Sequence, residues 1–205
     1  MIGVVDYGAG NLASVRHALA RVDAEVEVFD DPARAVRFDR IILPGVGSFR
    51  LAMESLNARG WPEALRAHVA AGRPLLGICL GMQLLFDQGH EHGVTPGIGL
   101  IHGEVRRLEL PEPHKVPHVG WNSLQFARQH PLFAGVKPHL DFYFVHSYHC
   151  VPQDEADVVA RSDHGGSFVA CAAHGSAIGI QCHPEKSQPV GLRLLANFAA
   201  WDGTC

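Results

Sequence analysis

Apolar positions follow two different rhythms along this chain. In the first part, short apolar runs such as residues 1–5 and 40–43 alternate with longer segments whose apolar residues recur at helical spacing. That pattern predicts a strand over 1–5, then a helix from an N-cap at Asn11 to about Val22. It predicts strands over 25–29 and 40–43, and helices over 48–56 and 62–71, the second stopped by Gly72. Pro74-Leu75-Leu76 reads as a buried strand, and residues 82–86 as the opening turns of an apolar helix. From about Ile98 to Ala177 the rhythm changes. Short strands over 103–108, 142–145, 158–161, 168–171 and 177–181 are separated by Pro, Gly and His. An amphipathic helix over 189–201 closes the chain. The expected class is α/β, with a largely parallel, doubly wound central sheet and an antiparallel-rich C-terminal half. No repeat, low-complexity run or linker divides residues 1–205, which read as one domain.

Composition narrows the function classes. A formal charge of −4 argues against nucleic acid or an anionic membrane as the main partner. No apolar stretch reaches membrane-spanning length, and the run from Ile2 to Val5 is broken by Asp6, so no leader is expected. Five cysteines, odd in number and without a close pair, do not suggest a disulfide framework. A reducing cytoplasm fits them best.

Chemistry concentrates at Gly77-Ile78-Cys79-Leu80-Gly81, set between the strand at 74–76 and the helix at 82–86. A Gly-x-nucleophile-x-Gly turn between strand and helix is a nucleophile elbow, here with a thiol. The turn is so tight that its ±2 neighbours have no room for side chains. At a helix N-terminus the sulfur gains from the dipole and the unpaired N–H groups. The plainer reading is a buried core thiol, the usual fate of a free cysteine. A base is on offer at His183-Pro184-Glu185. Pro184 pushes His183 toward extended backbone, where residues i and i+2 share a side, so Glu185 can meet the imidazole while Cys182 turns away. A surface His beside an exposed Glu is the alternative. For the oxyanion of an acyl transfer, one donor would be the N–H of Leu80, and the strand–turn–helix at Pro44-Gly45-Val46-Gly47-Ser48 is placed to give another. Glycines in an ordinary βα turn would look the same.

Two competing sites are weighed against this one. Gly8-Ala9-Gly10-Asn11-Leu12-Ala13, with Asp30 after the second strand, fits a dinucleotide-binding fingerprint and hence an oxidoreductase. Against it, Asp6 sets a negative charge beside the loop that would hold pyrophosphate, and the chain is short for a further substrate domain. His90/His92, His114/His118 and His146/His149 have spacings a metal could use, but no cysteine or acid cluster joins them, and neither metal nor cofactor is expected.

The elbow, continued by Met82-Gln83, and Gln181-Cys182-His183-Pro184-Glu185 resemble the Cys-His-Glu triad of class I glutamine amidotransferases. The resemblance implies their flavodoxin-like fold and release of ammonia from glutamine through a thioester on Cys79, with His183 as base and Glu185 orienting it. Pro44-Gly45-Val46-Gly47 is similar to the oxyanion strand of the glutaminase subunits of imidazole glycerol phosphate synthase. So are Asp6-Tyr7-Gly8-Ala9-Gly10-Asn11-Leu12-Ala13-Ser14, Pro117-His118-Val119-Gly120-Trp121-Asn122, Tyr143-Phe144-Val145-His146-Ser147-Tyr148 and Glu185-Lys186-Ser187. Such motifs run from residue 3 to residue 187; Cys182 departs from the expected Phe. By this resemblance Val46, Gly47 and Leu80 hold the oxyanion, and Gly45, Gln83, His146, Ser147 and Tyr148 position glutamine. It also implies a heterodimer with a (β/α)₈-barrel cyclase that consumes the ammonia to make imidazole glycerol phosphate and AICAR. Asn11, Trp121, Asn122 and Lys186 would lie at the docking face; without the resemblance, Trp121 is as readily core and Lys186 a solvated charge. Glutaminase subunits of anthranilate or pyridoxal phosphate synthesis share the triad, and a catalytically dead scaffold is a further alternative.

Overall fold

The computed structural model describes residues 1–204. Its first half runs β1 (Ile2–Val5), α1 (Leu12–Ala20), β2 (Val26–Phe29), β3 (Arg40–Gly45), α2 (Phe49–Arg59), α3 (Trp61–Ala70), β4 (Leu75–Cys79) and α4 (Leu80–Leu84). The second half runs β5 (Phe86–Gly89), β6 (Thr95–Pro96), β7 (Ile101–Arg107), β8 (His118–Ser123), β9 (Gln125–Phe126), β10 (Asp141–His146), β11 (Tyr148–Pro152), β12 (Val158–Asp163), β13 (Ser167–His174), β14 (Ala177–Ile180) and α5 (Gln188–Ala200).

The main sheet is mixed. Strands β2, β1, β3, β4 and β14 lie side by side and parallel, in that order. Beyond β14 the order continues β13-β11-β7-β5-β6 through antiparallel pairs, except that β5 and β7 are parallel. The two-stranded sheet β8–β10 stands apart.

Strand residues alternate between two cores, which is why the inner parallel strands β1, β3, β4 and β14 are largely apolar, whereas the edge strand β2 is only half-buried. Ile42, Leu76, Ile78 and Ile180 face α1 and α5, where Leu19, Leu194 and Phe198 fill the core. Ile41, Leu43 and Leu75 face α2 and α3, with Met53, Leu56 and Trp61. The fold is therefore α/β with helices on both faces, as the pattern predicts.

Three expectations need correction. The elbow helix ends at Leu84, and Phe86 already belongs to a strand. The segment 98–101 takes its last carbonyls: Ile98 N–H donates to Leu84 O, and Leu100 and Ile101 donate to Leu85 O. Second, β14 belongs to the parallel half, paired with β4 in the register Gly179↔Gly77 and Ile180↔Ile78. Third, residues after His183 form a 3-10 turn over Pro184–Lys186 and not extended chain.

The strand order also disposes of the dinucleotide fingerprint. β1 sits between β2 and β3, whereas a dinucleotide fold needs β1 beside β4. Asp6 Oδ1 already accepts the Gly8 N–H at 2.9 Å, so the loop spends a donor on its own carboxylate.

Candidate active site

The C-terminal ends of the parallel strands converge on one place, where open α/β sheets bind ligands. β4 delivers Cys79, β3 delivers the turn at Val46 and Gly47, and β14 leads into His183. These residues line a cavity of about 350 Å³ together with Leu80, Gln83, Glu91, Pro117, Val145, His146, Ser147 and Tyr148.

Cys79 sits in the turn with φ 56° and ψ −112°, a conformation rarely tolerated outside glycine. The strain is held by close packing on both sides. A Cβ on Gly77 would lie 2.6 Å from Gly81 O, and one on Gly81 would lie 1.9 Å from Leu43 O. Both glycines are therefore needed for α4 to turn back over β3 and β4. The side chain of Cys79 is almost fully buried, with its sulfur 3.9 Å from Val145 O and 3.7 Å from Gln181 Nε2.

His183 Nδ1 lies 2.7 Å from Glu185 Oε1, and both side chains are nearly inaccessible. Burial alone drives an imidazole down, but the Cys79 sulfur and then the Glu185 carboxylate outweigh it and raise His183 from 6.5 to about 9. Its Nε2 is buried with no hydrogen bond of good geometry, and the Cys79 sulfur beside it raises the imidazole first as a hydrogen-bond partner and then through its charge. Cys182 turns the other way into the α1/α5 core, where burial first, then Cys171 and Glu185, push its thiol well up.

One hydrogen-bond chain forms the wall opposite the turn. His146 Nδ1 donates to Tyr148 O at 2.8 Å, so its Nε2 is the bare nitrogen and accepts from His118 Nδ1 at 3.0 Å. Burial pushes His118 down to about 4 and His146 down to about 3, which keeps both neutral. Gln83 Nε2 donates to the same Tyr148 carbonyl at 3.1 Å and to Gln181 Oε1 at 3.0 Å.

Gly45 does not line the cavity. It pairs with Cys79 across β3 and β4, where a Cβ would meet Gly81 N at 2.8 Å and Tyr7 Oη at 3.0 Å. Tyr7 is itself fully buried with an unpartnered hydroxyl, and burial, then Cys79, push its phenol up.

Trp121 and Lys186 reach the surface together. Trp121 packs edge-on to Tyr143 with ring centroids 5.8 Å apart, and Lys186 Nζ stands 5.5 Å from the Tyr143 centroid. Val119, Trp121 and Val145 are exposed on the same side of β8–β10, since Val119 pairs with Val145 and Trp121 with Tyr143. Asn122 alternates to the opposite side, where its amide donates to Asp163 O, so it does not share the Trp121 face. Asn11 is exposed and caps α1, accepting the Ser14 N–H at 3.3 Å.

Sequence reasoning gives no site role to Gln181 or to the lining residues Glu91, Pro117 and Val145, the last two lying in motifs that mark their neighbours. The alternation that turns Cys182 away also turns Gln181 toward Cys79, and that signal was present in the sequence. Glu91 had no local signal: it comes from the loop after β5, and its Oε2 accepts the Phe49 N–H at 2.7 Å. Among the described residues no cluster of three or more His, Cys, Asp or Glu could hold a metal ion. None of their helices is long and apolar enough to cross a membrane.

The family model for glutamine amidotransferase class-I matches residues 3–200. The chain is 46% identical over 204 residues to a protein of Sulfurimonas denitrificans named imidazole glycerol phosphate synthase subunit HisH, covering 98% of each chain. It is 48% identical over 197 residues to the protein of the same name in Symbiobacterium thermophilum, covering 96% of this chain and 92% of that one. Among solved structures, a glutamine amidotransferase superposes with a TM-score of 0.75 at 18% identity, covering 98% of this chain and 99% of the other. PurLQS from Thermotoga maritima gives a TM-score of 0.75 at 19% identity, covering 96% of each, a likeness of fold.

Proposed function

This chain belongs to the class I glutamine amidotransferases, and from that premise we propose that it is the glutaminase subunit of an imidazole glycerol phosphate synthase in histidine biosynthesis. The observation that carries the chemistry is the strained, buried Cys79 facing a cavity shared with a His183 that Glu185 holds at 2.7 Å.

With His183 raised to about 9, its imidazole is a base strong enough to take the Cys79 thiol proton. The Cys79 sulfur attacks the side-chain amide carbon of glutamine, and the carbonyl electrons move onto oxygen. The N–H groups of Leu80 and of the Val46–Gly47 turn receive that oxyanion. His183 Nε2 gives its proton to the departing nitrogen, so ammonia leaves and a thioester remains. Water then attacks the thioester; His183 takes its proton, and thiolate and glutamate separate. Glu185 keeps the Nδ1 proton in place and stabilises the imidazolium throughout. Gln83, His146, Ser147 and Tyr148 fit a glutamine-positioning role, and the Glu91 carboxylate suits the α-ammonium group.

Ammonia free in water is mostly protonated and cannot attack. Transfer into a dry passage of a second chain would keep it nucleophilic. The exposed Val119, Trp121 and Val145, flanked by Lys186, suit docking of the (β/α)₈-barrel cyclase as a heterodimer, and a cytoplasmic setting follows from the pathway. Glutaminase subunits of other synthases share the triad, but the 46–48% identity favours this one.

The test is ammonia release from glutamine by the chain alone and with the cyclase holding its own ligand. Gly47, at φ 97°, and its exposed neighbour Val46 can present more than one peptide orientation. Addition of the cyclase should therefore raise turnover by ~10²-fold or more, the worth of one oxyanion donor. Full-speed hydrolysis by the isolated chain, indifferent to any barrel, would contradict the assignment.

A further inference from the structure

The hydrogen-bond chain in the cavity wall ends on the nucleophile, and its polarity can be worked out atom by atom. Tyr148 O can only accept, so the end of Gln83 facing it at 3.1 Å must be the NH₂ group. The same nitrogen lies 3.0 Å from the Gln181 amide, which must therefore present its oxygen to Gln83. That leaves the NH₂ of Gln181 pointing at the Cys79 sulfur, 3.7 Å away. Gln181 is wholly buried and its backbone N–H is tied to Ala170 O at 2.8 Å, so its amide has no solvent to turn toward.

We infer that Gln181 is a positioning residue for the glutaminase reaction, holding the Cys79 thiolate in place by an N–H whose direction Gln83 fixes. The inference rests on the glutaminase reading above and extends it. The sulfur stands between two groups that favour opposite protonation states. Val145 O, 3.9 Å away, can take a hydrogen from the thiol but offers nothing to a thiolate. Gln181 can donate to a thiolate. Because Gln83 spends both amide hydrogens on Tyr148 and Gln181, its carbonyl oxygen is the end left for a ligand in the cavity. A ligand that anchors Gln83 therefore also anchors the amide on the nucleophile.

The measurement is the pH dependence of Cys79 alkylation by iodoacetamide in the full-length chain, read by mass spectrometry of the Cys79 peptide. It needs no glutamine turnover. Gln181→Met removes both hydrogen-bonding ends at similar volume. Gln181→Glu keeps an acceptor for Gln83 but removes the donor to sulfur. In both, alkylation at pH 7 should slow by about tenfold and its profile should move to higher pH, the scale of losing a hydrogen bond to a charged acceptor. In Gln181→Glu, kcat should fall while KM for glutamine stays within about twofold, since Gln83 keeps its partner. A folded variant with the wild-type alkylation profile would overturn the inference. Should both variants fail to fold, the side-chain amide signal of Gln181 in the wild-type chain must move when Cys79 is alkylated; an unmoved signal would equally overturn it. A displaced profile in a chain that never releases ammonia, even with the cyclase, would leave this relay standing and remove the glutaminase reading instead.

Discussion

Gly179 stands directly opposite Gly77 across the parallel strands β14 and β4. The pair makes a notch in the sheet into which α4 packs: a Cβ on Gly179 would lie 2.4 Å from Met82 Cγ, and one on Gly77 would lie 2.7 Å from Met82 N. This register also brings His183, three residues beyond Ile180, alongside Cys79, one residue beyond Ile78. One pairing thus sets both the turn of the elbow and the placement of its base.

The two glycines should not be equally sensitive. Gly77→Ala drives a methyl into backbone at Gly81 and Met82, which cannot yield without opening the elbow. Gly179→Ala meets mainly the flexible Met82 side chain. We expect Gly77→Ala to cost about 2–3 kcal/mol and most of the glutaminase activity, and Gly179→Ala about 1 kcal/mol. Chemical denaturation of the two variants, with turnover measured beside it, checks the order; equal costs would show that the notch is not what holds α4.

The Glu185 carboxylate is buried against His183. In Glu185→Gln the amide oxygen can still accept the Nδ1 proton but cannot stabilise an imidazolium. Turnover should fall on the order of 10²-fold, less than in Cys79→Ala or His183→Ala, which lose the nucleophile and the proton carrier. Equal losses in all three would mean that Glu185 is required for folding or is itself the base.

His183 is raised in the folded chain, so it favours folding fully below its ordinary 6.5, and that gain is lost as pH climbs through about 9. The Cys79 sulfur heads the groups that raise it. Replacing Cys79 by Ala should therefore lower the His183 titration, followed by the imidazole resonances, and shrink the loss of stability between pH 6.5 and 9. A titration unchanged in Cys79→Ala would separate the two groups.

Four buried histidines act in the opposite sense. Burial pushes His68, His118 and His130 down to about 4 and His146 to about 3. Two of them accept hydrogen bonds that protonation would remove: His130 Nδ1 accepts the Leu132 N–H, and His146 Nε2 accepts the His118 Nδ1–H. The unfolded chain binds protons near 6.5 while the fold refuses them until about 4, so stability should fall as pH drops through that window. Thermal melts from pH 7 to pH 4 test this; a flat profile would contradict the neutral assignments.

Much of this was legible in the sequence, for physical reasons. Strands β1, β3 and β4 read clearly because they are buried on both faces, β2 because its apolar and acidic residues alternate at the sheet edge, and the elbow because its glycines are sterically required. The contact of His183 with Glu185 was expected from extended backbone, although a 3-10 turn makes it. The antiparallel half was legible only in part. Strands β5, β6 and β9 are short, and β8 and β11 alternate too weakly between buried and exposed positions to stand out. The resemblance sets Asn122 at the docking face beside Trp121, yet neighbours in a strand face opposite ways. Glu91 reaches the cavity only through tertiary folding, so no local pattern marks it.

The central claim, that Cys79 is the nucleophile that attacks glutamine, is tested most directly by covalent labelling of the cyclase-bound chain with a glutamine-analogue electrophile and peptide mapping. The account predicts one label per chain, on Cys79, slowed by glutamine and absent in Cys79→Ala. Cys182→Ala should label normally and turn over within a few-fold of wild type, since that thiol lies in the core. A label on Cys182, Cys150 or Cys171, or undiminished labelling of Cys79→Ala, would contradict the account.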